Sequence, residues 1–215
     1  MARSLGWFPQ TRYLLRICVV LQLVIATKNN GKIKELKELA GSSNWLELLP
    51  APDQFDPVED GKTFVENAII KAQAASELTS KLACADDSGL EIESLDNWPG
   101  IYSARVCSGT DAQRRQVVIE KIETLPGRLS KAAFVCAMAV YMPGKGVIFT
   151  TQARWSGYVR EKEKGNNGFG YDPIFYLDEK GNTTAAELSS AEKNLISHRG
   201  QAWRKVLTFL CSLEV

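Results

Sequence analysis

Polar and apolar positions alternate along this chain in two rhythms: short solid apolar runs and longer stretches spaced as on a helix. Leu21-Gln22-Leu23-Val24-Ile25-Ala26 is a short run of the kind a buried strand shows. Lys32 to Ala40 then carries Ile33, Leu36, Leu39 and Ala40 at helical spacing. Trp45 to Leu49 reads as a strand, and the proline- and acid-bearing stretch from Pro50 to Gly61 as a loop. Thr63-Phe64-Val65-Glu66 has the form of a capping box, which predicts a helix with Phe64, Ala68, Ala72, Ala75 and Leu78 facing inward. Leu82 to Ala85 reads as a strand and Leu90 to Ile92 as a further short one. Asp111 caps a helix running to Leu125. Ala132 to Met142 and Val147 to Val159 flank the turn Pro143-Gly144-Lys145-Gly146 and predict a long antiparallel hairpin. Ile174 to Leu177 is a short strand, and Ser197 caps a final helix with Ala202, Val206, Phe209, Leu210 and Leu213 turned to the core. Strands alternating with helices, plus one hairpin, predict an α/β fold with a mixed sheet.

Composition narrows this picture only slightly. The 215 residues suffice for one large α/β domain or two small ones, and no linker, repeat or low-complexity tract divides them. At 45% hydrophobic and 24% charged residues, a sizeable core can be buried. The formal net charge of +1 points to neither nucleic acid nor membrane, so any attraction for an anion must be local. Cys18, Cys84, Cys107, Cys136 and Cys211 are odd in number and irregular in spacing, which suits reduced thiols rather than a disulfide frame. Tyr13 to Ala26 is apolar but is interrupted by Arg16 and Gln22, too short and too polar to span a bilayer. Its preceding arginines imitate a secretory signal. The preferred expectation makes residues 1–20 an extension, or the product of an early start codon, ahead of a single domain over 21–215.

One stretch carries more chemistry than the others: Leu82-Ala83-Cys84-Ala85-Asp86-Asp87-Ser88-Gly89-Leu90. An apolar strand that ends in two adjacent carboxylates places mutually repelling charges where α/β sheets bind ligands. Magnesium with a polyphosphate is the usual compensation. Ala26-Thr27-Lys28-Asn29-Asn30-Gly31-Lys32 joins a strand to a helix and offers backbone N–H groups and Lys32 to an anion, although it is no Walker A loop. Lys71 follows Glu66 on the capped helix, within reach of phosphate oxygens, and Glu59 lies in the loop before it. Gly165-Asn166-Asn167-Gly168-Phe169-Gly170-Tyr171-Asp172-Pro173 interleaves glycine with aromatics, which suits close approach to a ligand and stacking on a base. Lys193, the sole histidine His198, and Arg199 form a donor-rich cationic cluster suited to a keto oxygen or a phosphate. No G-x-S-x-G nucleophile elbow occurs.

Taken together and in order, IATKNNGK (25–32), TFVENAIIKA (63–72), ADDSGLEIESL (85–95), PGIYSAR (99–105), NGFGYDPIF (167–175), and AEL followed by EKNLISHRGQA (186–188, 192–202) resemble the non-canonical purine nucleoside triphosphate pyrophosphatases, the inosine triphosphatase-like (Ham-like) family. Two departures are visible: Val106 stands where an aromatic usually follows the SAR triplet, and Glu163-Lys164-Gly165 replaces the commoner Pro-Arg-Gly. The resemblance implies an elongated mixed β-sheet with flanking helices, its two lobes enclosing a nucleotide-binding groove, and a cytoplasmic homodimer. It implies hydrolysis of ITP, dITP and XTP to the monophosphate and pyrophosphate with Mg2+, which clears deaminated purines from the nucleotide pool. By the same resemblance, Thr27, Lys28, Asn29, Asn30, Gly31 and Lys32 cradle phosphates with Lys71 assisting. Glu59 and Asp86 hold the metal, Asp87 is the general base and shares in metal binding, and Ser88 contacts substrate. Phe169, Gly170, Tyr171, Asp172, Lys193, His198 and Arg199 contact base, sugar or phosphate. Because adenine presents an amino group where inosine has O6, His198 and Arg199 are the expected donors for base choice. Three other readings are open: a Maf-like pyrophosphatase acting on pyrimidine or modified nucleotides, a nucleotide-binding regulator without turnover, and an exported protein.

Overall fold

The computed structural model describes residues 20–42 and 44–213. The N-terminal extension expected before the first strand, and Cys18 with it, lies outside the described residues apart from Val20. β1 (Leu21–Ile25) leads through α1 (Asn30–Ala40) to β2 (Leu46–Pro50). α2 (Phe64–Thr79) leads to β3 (Ala83–Ile92), followed by the two-residue β4 (Trp98–Pro99) and α3 (Asp111–Glu123). β5 (Leu129–Met142) and β6 (Gly146–Arg160) form the expected hairpin. β7 (Phe175–Tyr176), α4 (Ser190–Ile196) and α5 (His198–Ser212) complete the order.

The strands form one mixed sheet of seven in the order β2-β1-β3-β5-β6-β7, with β4 added to β3. β1 is parallel to β2 and β3, as helical crossovers require, and the remaining pairs are antiparallel. β5 is buried on both faces, because α2 covers one and α5 the other. Ala68, Ala72 and Ala75 of α2 meet Ala83, Ala85, Ala137 and Ala139 of the sheet, so helix and strands approach closely. On the opposite face Trp203, Val206 and Leu210 of α5 pack on Leu23, Cys84, Cys136 and Met138. Further along the same strands, Val118, Ile119 and Ile122 of α3 close a separate cluster with Leu90, Phe134, Trp155 and Phe175. These clusters are the cores of two lobes strung on β3, β5 and β6.

Capping follows the sequence. Thr63 and Glu66 make the reciprocal hydrogen bonds of the capping box, and Ser197 caps α5. Thr110, one residue before the expected Asp111, is the cap of α3. Leu78 is exposed; Asn67, Lys71 and Ser76 are buried on α2 instead. α4 was not expected, although Ser189 and Glu192 spell its capping box. No helix among the described residues is long and apolar enough to cross a membrane. Cys84, Cys107, Cys136 and Cys211 are free thiols.

The departure that matters most is β3. The sequence suggested two short strands broken at the acid pair, but one strand of 10 residues runs straight through it. β1 pairs with β3 only at Ala83 and Cys84, and β4 only at Glu91 and Ile92. Between them β3 is hydrogen-bonded along one edge, to β5, and its other edge is open. Gly89 lies in this window, where an added Cβ would stand 2.3 Å from the Gly100 carbonyl oxygen and 2.5 Å from Ser103 Oγ. Ser103 Oγ accepts the Leu90 N–H at 2.9 Å and donates to Gly100 O at 2.6 Å. Gly89→Ala is expected to destabilise the fold by about 1–3 kcal/mol through overpacking, as read from urea denaturation. Wild-type stability of that variant would contradict the close packing at this strand edge.

Candidate active site

A groove of about 490 Å³ lies over the open edge of β3. The β1–α1 turn contributes Thr27, Lys28, Asn29 and Lys32; the 51–61 loop contributes Phe55 and Glu59; α2 contributes Lys71. Asp87, Ser88 and Gly89 come from β3, and Phe169 to Asp172 from the glycine loop. Lys193, His198 and Arg199 come from α4 and α5, while Ser103, Arg105, Asp111 and Arg114 come from the other lobe. The expected residues therefore converge, with three exceptions: Asp86, Asn30 and Gly31 do not line the groove.

The exception of Asp86 follows from strand geometry. Successive side chains of a strand point to opposite faces. Once β3 runs straight through the pair, Asp86 and Asp87 cannot share a site. Asp86 turns toward α1 and α5, where both oxygens are taken. Lys32 Nζ and Ser88 Oγ (3.0 Å) meet Oδ1; Arg199 Nε (2.9 Å) and Cys136 Sγ (2.9 Å) meet Oδ2. Burial pushes its carboxyl pKa up, but Arg199 and Lys32 outweigh that and hold it well below the usual range. Asp86, expected to hold the metal directly or through water, is thus an ionised anchor with both oxygens engaged by protein groups.

Asp87 faces α2. Its Oδ1 accepts from Lys71 Nζ at 2.6 Å, and the same ammonium lies 3.3 Å from Glu59 Oε1. Its Oδ2 is buried without a hydrogen-bond partner. Burial raises the Asp87 pKa above the ordinary carboxylate value, against the opposing pull of Lys71 and Lys32. Burial also pulls on Lys71, but Asp87 and Glu59 prevail and raise its pKa, so it stays charged. Arg105 lies 4.0 Å from Glu59 Oε2, so two cations face the two carboxylates here, and the unfilled position is Asp87 Oδ2. An oxygen without a partner beside a second carboxylate fits a hard divalent cation, with Glu59 and Asp87 as its oxygen donors.

Glu35, which sequence reasoning missed, organises the other wall. It is buried on α1, where Lys193 Nζ donates to Oε1 at 2.8 Å and Arg199 donates to Oε2 at 2.6 Å. Lys193 also donates to Asp172 Oδ2 at 2.5 Å, and that oxygen accepts the Phe169 N–H at 2.8 Å. Lys32, Asp86, Arg199, Glu35, Lys193 and Asp172 thereby form an alternating chain of charges, positive then negative at every step. Every Arg199 nitrogen is engaged, since the remaining one donates to Ser88 Oγ at 2.7 Å. The signal for Glu35 was its place beside Leu36 on a helix whose Lys32 already pointed inward.

At the phosphate-cradle end, Asn29 caps α1 by accepting the Lys32 N–H at 3.1 Å, and Lys28 reaches the Asp53 carbonyl at 2.9 Å. Gly31 serves by being small: an added Cβ would lie 2.8 Å from the Phe169 ring. At the other end His198 stacks on Phe134, with ring centroids 4.9 Å apart. Burial, with Arg199 and Lys193 nearby, lowers its pKa well below the ordinary value, so the imidazole is neutral. Its Nδ1 is buried without a partner. Tyr171 donates its hydroxyl to the Ser103 carbonyl at 2.7 Å and so ties the glycine loop to the second lobe.

The charge chain sets a pH dependence. Burial raises the Glu35 pKa, but Arg199 and Lys193 overcome it and the net value is lowered. Glu35 therefore binds fewer protons folded than unfolded, and its stabilisation is complete above the unfolded value and lost as pH falls through the lowered folded one. Glu35→Gln is expected to cost roughly 3 kcal/mol near neutral pH, as for removal of one partner of a buried ion pair. The gap in Tm between variant and wild type should narrow steadily below about pH 4. A gap that stays constant across that range would show that Glu35 is not ionised in the folded protein.

Comparison with known proteins gives the site its context. Residues 23–209 match the model of the Ham1 family. The dITP/XTP pyrophosphatase of Geobacillus kaustophilus (strain HTA426) is 42% identical over 189 residues, 86% of this chain and 92% of that protein. The dITP/XTP pyrophosphatase of Desulforamulus reducens is 41% identical over 199 residues, 91% of this chain and 98% of that protein. The solved structure of a HAM1 protein from Coxiella burnetii superposes with a TM-score of 0.77 at 40% identity, covering 90% of this chain and all of that one. Alike in sequence over nearly all of its described length and alike in fold, this chain belongs to the Ham1 family.

Proposed function

We propose that this chain hydrolyses deaminated purine nucleoside triphosphates, ITP, dITP and XTP, to the monophosphate and pyrophosphate with Mg2+. The observation that carries the reading is the Glu59–Lys71–Asp87 corner: a buried carboxylate oxygen without a partner, in a groove lined by cations and aromatic rings. Relatives named dITP/XTP pyrophosphatase support the choice of substrate.

In this reading Thr27, Lys28, Asn29 and Lys32 bind the phosphates, and the first N–H groups of α1 contribute there. Lys71 adds charge beside the scissile bond, and Ser88 contacts the substrate. Glu59 and Asp87 hold the ion. When bound, Mg2+ neutralises phosphate charge and acidifies water. The attacking water adds to the α-phosphorus, its proton passes to the Asp87 carboxylate, and the bond from the α-phosphorus to the bridging oxygen breaks with pyrophosphate leaving. The purine lies toward Phe169, Tyr171 and His198, with Asp172 and Lys193 behind them. Donors for O6 come from neutral His198, from the third Lys193 proton, and from the Arg199 N–H groups not spent on Glu35 and Ser88. On the family resemblance alone, we also propose a cytoplasmic homodimer with its catalytic domain over residues 21–215.

Pyrophosphate release across ITP, dITP, XTP, ATP and dUTP, with and without Mg2+, tests the reading. Turnover is expected for the first three and only with the metal; preference for dUTP would favour a Maf-like activity. Asp87→Asn should lower kcat by about 10²–10⁴ with nucleotide binding retained. Binding without any wild-type turnover would identify a regulator. The roles of the two acids separate in a titration with Mn2+ followed by calorimetry. Glu59→Gln and Asp87→Asn should weaken the ion by roughly tenfold or more, while Asp86→Asn leaves it within about twofold. Equal losses in all three would restore Asp86 as a ligand.

A further inference from the structure

Glu163, the residue at which this chain departs from the family's commoner Pro-Arg-Gly, sits on a device that holds the glycine loop. Its two carboxylate oxygens take a fork from Arg115, Nε at 3.0 Å and a terminal nitrogen at 3.1 Å. The other terminal nitrogen of Arg115 donates to the Gly170 carbonyl at 2.9 Å. From the same helix Asp111 Oδ2 accepts the Gly170 N–H at 2.9 Å, and Asp111 Oδ1 is held by Arg114 at 3.0 Å. Both polar groups of one glycine are therefore gripped by the first turns of α3. Gly170 has a φ of 61°, a conformation costly for other residues, so the loop cannot be replaced there by a side chain with contacts of its own. Its neighbours are the ligand-facing aromatics: the Phe169 ring lies against Gly31 on one wall, and the Tyr171 hydroxyl is tied to Ser103 on the other.

We propose that Arg115 and Glu163, with Asp111, are positioning residues that set the height of the Phe169–Tyr171 loop over the groove and so tune nucleobase binding, an inference that rests on the nucleotide reading above. The fork is pre-organised because a guanidinium engaged by a carboxylate through two nitrogens has a fixed plane, which aims its third nitrogen. Arg115 does not line the groove, and its partners are Glu163 and Gly170 rather than the Glu59–Asp87 corner, so its loss should act on binding rather than on the chemical step.

The test compares Arg115→Met, Arg115→Lys and Glu163→Gln with wild type. Arg115→Met is expected to raise KM for ITP about tenfold, with kcat within about twofold. Arg115→Lys should recover part of that loss, and Glu163→Gln should raise KM by about threefold. Deuterium exchange at the Gly170 amide, measured without nucleotide, should speed up in Arg115→Met. Faster exchange with an unaltered KM would overturn the proposal by reducing the clamp to a structural brace, and unaltered exchange would overturn the clamp itself. Should the wild type fail to hydrolyse ITP, the nucleotide reading falls while the exchange measurement still decides whether the clamp exists. Glu163→Gln, half-exposed and close in shape, keeps the test valid if Arg115→Met does not fold.

Discussion

A buried charge must be matched, and in this protein five of them, with the partly buried Lys32 at one end, match one another in series. Removing any member of the chain from Lys32 to Asp172 strands a neighbour in a medium where an unpaired ion costs several kcal/mol. The members come from α1, β3, α5, α4 and the glycine loop, so the requirement for neutrality is also a requirement on geometry. Cations meant for a polyphosphate and a nucleobase are thereby held in place before any ligand arrives. Such pre-organisation avoids the cost of reordering polar groups during binding and reaction. The same logic explains why Arg199, expected as a free donor, has every nitrogen occupied. Its contribution to base choice is made through what little of its fork is left.

The second electrostatic unit, Glu59–Lys71–Asp87, is built on the opposite principle. It leaves a buried carboxylate oxygen, Asp87 Oδ2, without a hydrogen-bond partner. One face of β3 is electrically finished; the other is incomplete in the way a metal site should be. That division arises from nothing more than the two-residue period of a strand.

Much of this was legible in the sequence. The alternation of apolar runs and helical spacings gave the order of most elements, and Thr63, Glu66 and Ser197 declared their helix starts. The converging motifs named most of the groove: Thr27, Lys71, Asp87, the Phe169 loop and His198. What was not legible required three dimensions. The break between Ala85 and Leu90 came from ending the strand at the acid pair, where α/β sheets bind ligands, whereas pairing with β5 carries it on to Ile92. That single error placed Asp86 beside Asp87. Glu35 escaped because a glutamate on a helix is usually solvated, and only the arrival of Lys193 and Arg199 from about 160 positions away makes its burial affordable. Cys136 was read as core sulfur; its contact with Asp86 depends on a strand register that no local pattern discloses.

The unbroken passage of β3, β5 and β6 through both lobes has a mechanical consequence. Two bodies joined by a short hinge can swing apart like jaws, but here a continuous hydrogen-bonded ribbon runs beneath the cleft as a keel. Any rotation between the halves has to twist that ribbon or shear its ladder bonds, so the sheet resists it. The 51–61 loop and the glycine loop border the cleft without being woven into that ribbon, and side-chain ties such as Tyr171 to Ser103 hold the glycine loop instead.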